Sequence, residues 1–114
     1  MSARLISVLE HMREDLQDIM SFTRGYSFED FRDDIKTRKA VSMSLINVGE
    51  LAKQLDEDLR LRHPEIPWRD IIGMRNITAH GYHQLNVNTL WEAIEVDIDS
   101  ILKVVCDELD FLQK

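Results

Sequence analysis

Arg75, Asn76 and His80 stand close together in this chain, with Gly81 and Tyr82 directly after, and these side-chain types suit work on a phosphodiester. Imidazole titrates near neutral pH and can take up or return a proton, while a guanidinium hydrogen-bonds phosphoryl oxygens as negative charge builds. Those two functions suffice to cleave RNA without a metal when a ribose 2′-hydroxyl attacks the adjacent phosphorus. DNA lacks that internal nucleophile. His80 is the expected acid/base and Arg75 the expected transition-state stabiliser. On a helix, Asn76 and His80 stack on one face four residues apart, so the amide can orient the imidazole, whereas Arg75 lies over Ala79. One chain thus offers the guanidinium and imidazole as neighbours rather than as a tight pair, and a twofold partner would bring a second set alongside. The spacing alone is a weak signal, because the same pair also serves surface salt bridges and helix caps.

The elements that must hold this segment are helices. From Ala3 to about Phe22, Leu5, Leu9, Met12, Leu16 and Ile19 recur at spacings of three and four, the stripe of an amphipathic helix that Gly25 ends. Ser27 and Asp30 resemble an N-cap with an acidic first turn. A long second helix is expected from there to about Asp58, carrying Phe31, Ile35, Leu45, Val48 and Leu55. Small residues between Ser42 and Gly49 suit a close helix approach, either inside the bundle or across a dimer. His63-Pro64-Glu65-Ile66-Pro67 interrupts the pattern, and a short third helix is expected from Pro67 to Ala79. After a break around Gly81, Asn86 and Asn88, the residues Leu90, Ile94, Ile98, Ile101, Val105, Leu109 and Leu112 trace a final helix. With no credible strand, the expectation is an all-α, antiparallel bundle of four principal helices with room for a short fifth, in a single domain over residues 1–114.

Composition narrows the function. A chain of 114 residues with 44% hydrophobic side chains and no long uncharged apolar run reads as a cytoplasmic protein that does not enter a membrane. A net charge of −7 argues against a general nucleic-acid binder. The charge is uneven, however: Gln84 to Lys114 carries a net of −5, whereas Arg60 to His83 carries +2, so the phosphate-friendly stretch is the one that contains Arg75 and His80. Within it, Arg69 and His83 are secondary candidates for RNA contact, and Arg60 and Arg62 for an electrostatic entrance. His63 reads as a solvated loop histidine.

Elsewhere the plain reading is preferred. His11 has no partner at metal-ligand spacing, Cys106 reads as an apolar helix residue, and Glu92, Glu95 and Asp99 form a solvated acidic face. No metal site and no cofactor are expected. Trp68 and Trp91 are expected to anchor core packing rather than stack on bases.

The stretch Pro67-Trp68-Arg69-Asp70-Ile71-Ile72-Gly73-Met74-Arg75-Asn76-Ile77-Thr78-Ala79-His80-Gly81-Tyr82 resembles the signature of the HepT-like toxins of the HEPN superfamily. Arginine followed by a polar residue, then histidine, one residue and tyrosine, all match, as does the preceding Trp-Arg-Asp. The resemblance implies a helical homodimer whose two Arg-x4-His motifs face one cleft and cleave RNA without metal. It also implies a cognate antitoxin, a minimal nucleotidyltransferase that transfers AMP from ATP to the motif tyrosine, here Tyr82. AMP there would add bulk and a phosphodiester charge two residues from His80, where RNA phosphate must sit. Unmodified, Tyr82 could stack on a base. The competing reading is a catalytically silent helical module that binds a nucleotidyltransferase or a nucleotide.

Overall fold

A computed structural model describes residues 3–74 and 86–114. Helix α1 spans Ala3–Phe22 and buries Val8, Leu9, Met12, Leu16 and Ile19; of the stripe read from the sequence Leu5 is only partly buried, and Val8 joins it. It ends as polar groups take over its last carbonyls. The Thr23 hydroxyl donates to the Ile19 carbonyl at 2.8 Å, and Gly25 turns the chain at φ +76°, where a side chain would strain the backbone.

Ser27 then caps α2, Phe28–Asp33, in a reciprocal box: its hydroxyl accepts from the Asp30 amide and the Asp30 carboxylate accepts from its own amide, both at 3.1 Å. The long second helix expected from here to Asp58 is in fact three helices. Asp34 ends α2 in extended backbone and caps α3, Ile35–Lys53. Its carboxylate accepts from the Thr37 amide at 3.1 Å, the Thr37 hydroxyl at 2.7 Å and the Tyr26 hydroxyl at 2.6 Å. These bonds, the one from Tyr26 foremost, lower the Asp34 carboxyl to about 2. An aspartate offered three donors gains more as a cap than inside a helix, so the apolar period running through it did not prevent a break. Ile35, expected on the core stripe, is 58% exposed as a result. A second break at Gln54–Asp56 precedes α4, Glu57–Arg62.

Helix α5 spans Trp68–Gly73, within the helix expected from about Pro67 to Ala79, of which the part from Arg75 onward lies outside the described residues. Asn86 caps α6, Val87–Glu92, with its side chain accepting from the Asn88 amide at 2.7 Å. The final helix is likewise interrupted. A π-helical turn at Ala93–Asp97 separates α6 from α7, Ile98–Leu112, and shifts the register of the apolar stripe between them.

Helix α1 packs against both α3 and α7, and α3 also carries α5 on its flank. Their apolar faces meet in one core, with Val41, Leu45, Val48 and Ala52 from α3 and Ile98, Ile101, Val105 and Leu109 from α7. Ser42, Ser44 and Gly49 are buried within the single chain, so the small residues of α3 serve packing inside the bundle. Trp91 lies 5.3 Å from Phe31 and 6.3 Å from Phe28, ring centre to ring centre, and fastens α6 to α2 as a packing anchor. No strand occurs among the described residues, and the architecture is all-α, though more finely divided than four continuous helices.

Candidate functional site

The segment with Arg75, Asn76, His80, Tyr82 and His83 lies outside the described residues. On one side Met74 caps the end of α5; on the other Asn86 starts α6. Arg69, the remaining candidate for RNA contact, is exposed on α5.

A helix as short as α5 does not hold itself, since fewer than about 12 residues give marginal stability in water. Its anchors are external. Ile71 is buried in the core, and the Trp68 indole N–H donates to the carbonyls of Arg60 at 3.1 Å and His63 at 3.0 Å, joining the start of α5 to the end of α4. The connecting turn is pinned in its own right. Glu108, 8% exposed on the inner face of α7, accepts from Arg62 Nη2 at 2.8 Å and from His63 Nε2 at 2.6 Å. An ionised carboxylate only accepts, so Nε2 carries the imidazole proton here. Burial pushes the Glu108 carboxyl up, yet the hydrogen bonds from His63 and Arg62 outweigh it and hold the group below its ordinary value.

One expectation is therefore corrected. His63 is not a solvated loop histidine but a mostly buried link to α7, with Glu65 Oε2 3.7 Å from its Nδ1. Arg62 pairs with Glu108 through Nη2, while its side chain stays 55% exposed. Arg60 is partly buried and its Nε has no hydrogen-bond partner among the described residues. Arg69, like Arg62, is exposed, a position suited to meeting a phosphate.

The fold also mixes charges that the sequence keeps apart. Asp97, on the π-helical turn, has its carboxyl raised above the usual range first by burial, then by Glu92 of α6 and by Asp70 of α5. Acids from the C-terminal third therefore act on the helix that leads into Arg75. Glu108 was missed as an organising residue, although a signal existed: it falls three residues after Val105 and one before Leu109, on the apolar stripe itself. A carboxylate on a buried face must find cations. Among the described residues no group of three or more His, Cys, Asp and Glu side chains is arranged to hold a metal ion.

A small helical bundle with a polar, histidine-bearing segment between two short anchored helices is the class of protein that this arrangement defines. The family model described as "Ribonuclease HepT-like" matches residues 12–107, and the chain belongs to that family. It is 41% identical over 93 residues to a protein of Thermococcus cleftensis named "Probable ribonuclease HepT", a match covering 82% of this chain and 84% of that protein. It is 35% identical over 97 residues to a "Putative RNase" of Caldanaerobacter subterraneus subsp. tengcongensis, covering 85% of this chain and 87% of the relative. A "Putative RNase" of Methanocaldococcus jannaschii is 33% identical over 103 residues, 90% of this chain and 82% of its own length. No solved structure matches the chain. None of the helices among the described residues is long and apolar enough to cross a membrane.

Proposed function

We propose that this chain is an endoribonuclease toxin that cleaves RNA without a metal, with Arg75 and His80 as its catalytic residues. The family match carries the reading, because residues 12–107 contain the whole stretch from Pro67 to Tyr82, and the relatives named as ribonucleases point to RNA as the substrate class. In the proposed reaction the 2′-hydroxyl oxygen bonds to phosphorus as the bond from phosphorus to the 5′-oxygen breaks. His80 takes the proton from the 2′-hydroxyl, and a protonated histidine returns one to the departing 5′-oxygen. Arg75 holds the phosphoryl oxygens while their charge grows, and Asn76 orients the imidazole. Arg69 and His83 contact flanking phosphates. A homodimer with two motifs at one cleft supplies a base and an acid from two copies of His80.

Regulation follows the same reading. A minimal nucleotidyltransferase antitoxin transfers AMP to Tyr82: the phenol oxygen bonds to the α-phosphorus of ATP and pyrophosphate leaves. The added phosphodiester then competes with RNA for Arg75. The net charge of −7 favours a second reading, a catalytically silent module that binds the nucleotidyltransferase or a nucleotide.

Incubation of the purified protein with RNA in EDTA, beside His80→Ala and Arg75→Ala, separates the two. Cleavage by the wild type alone, with DNA of the same sequence left intact, is expected. Equal cleavage by all three proteins, or none by the wild type, removes the catalytic reading.

A further inference from the structure

Glu108 is an expensive residue in the place where it stands. Its neighbours on α7, Val104, Val105 and Leu109, are buried, and a leucine at 108 would extend their face without desolvating a charge. What a carboxylate adds there is direction. Its two oxygens hold two consecutive residues, Arg62 through Oε1 at 2.8 Å and His63 through Oε2 at 2.6 Å, across a sequence separation of more than forty positions. Those residues end α4 and open the turn to α5, and the His63 carbonyl in turn receives the Trp68 indole N–H at 3.0 Å. A continuous chain of hydrogen bonds therefore runs from the buried face of α7 to the first residue of α5, the helix that leads into Arg75.

We propose that Glu108 is a positioning residue for the Arg75 and His80 site, fixing through Arg62, His63 and Trp68 the angle at which α5 delivers the chain to that site. The proposal rests on the ribonuclease reading above. A contribution to rate separates from one to stability when both partners of the clamp are replaced by apolar residues, which satisfies the core but not the clamp. Misplacement of catalytic groups by about 1 Å is enough to cost on the order of a hundredfold in rate.

The test compares wild type, Glu108→Leu, His63→Leu and the double variant in single-turnover cleavage of RNA at saturating and limiting protein, with thermal unfolding of each. Glu108→Leu, which leaves the His63 imidazole without its acceptor, is expected to unfold below the wild-type temperature, and the double variant, which removes both partners of that bond, to recover part of the loss. At temperatures where each is folded, Glu108→Leu is expected to cleave about ten- to a hundredfold more slowly at saturation with little change in half-saturation. The double variant is expected to be no slower than Glu108→Leu, since both changes open one clamp. Glu108→Gln, which keeps the shape and an acceptor oxygen, should recover part of the rate and remains informative if the leucine variant fails to fold. Wild-type rates in folded Glu108→Leu and Glu108→Gln, or rate losses that track unfolded fraction, overturn the proposal alone. Absence of cleavage by the wild type overturns the ribonuclease reading and the positioning role with it.

Discussion

Replacing Trp68 with phenylalanine tests how α5 is held. The indole N–H bridges two carbonyls, those of Arg60 and His63, at 3.1 and 3.0 Å. Neither carbonyl is left bare by the change: the Arg60 oxygen keeps the His63 amide at 3.1 Å, and the His63 oxygen keeps the Ile66 amide at 3.2 Å. The loss is therefore that of one shared hydrogen bond, about 1 kcal/mol, rather than of two orphaned acceptors. The smaller ring also gives up part of the apolar area that Trp68 packs against the core, worth roughly another 1 kcal/mol. For a chain of this length the sum of about 2 kcal/mol lowers Tm by about 8 °C, from an unfolding entropy of roughly 2 cal/mol/K per residue. Circular dichroism at 222 nm during heating reads this directly, and amide exchange at Ile71, whose N–H donates to the Pro67 carbonyl at 3.0 Å, reports the first turn of α5 separately. A Tm within about 1 °C of wild type, with Ile71 exchange unchanged, would refute the claim that the indole N–H secures this helix.

Two further outcomes are expected. The Asp97 carboxyl is raised above 3.8 by burial and by Glu92 and Asp70, so the folded chain binds this proton more tightly than the unfolded one. Its contribution to stability is then greatest below 3.8 and falls as pH rises through the raised value. Asp97→Asn should stabilise at pH 7, by less than about 1 kcal/mol since the group is only partly buried, and should leave stability unchanged at pH 3; an equal effect at both pH values contradicts the stated cause. Ser27→Ala removes one half of the capping box of α2 and should cost about 1 kcal/mol in urea unfolding. An unmoved midpoint would show that the cap is not limiting.

Much of the fold is legible because a helix writes its own period. The α1 stripe of Leu9, Met12, Leu16 and Ile19 is fully buried, and Ile98, Ile101, Val105 and Leu109 form the inner face of α7. The cap at Ser27 and the turn at Gly25 were equally readable, since each rests on residues next to it. The breaks were not. At Asp34 the competing interaction comes from Tyr26, eight residues away, and a period count weighs only apolar positions. The π-helical turn at Ala93–Asp97 leaves no mark in composition.

For the candidate site the division is sharper. The types and order of Arg75, Asn76, His80 and Tyr82 are properties of the sequence, and with them come the class of chemistry proposed and the family to which the chain belongs. Charge fate is a different matter. Along the chain Arg62 reads as an entrance cation, His63 as a solvated loop histidine and Glu108 as one acid of a negative C-terminal stretch, and only the packing of α7 beside the end of α4 makes them one clamp. Asp97 likewise comes under the influence of Asp70 only when the chain folds. Local interactions such as periodicity, capping and motif spacing are encoded within a few residues and can be read from them. Desolvation and ion pairing depend on what lies across the core, so the tertiary structure alone decided which charges are spent on the fold and that Arg69 stands exposed on α5, available to a phosphate.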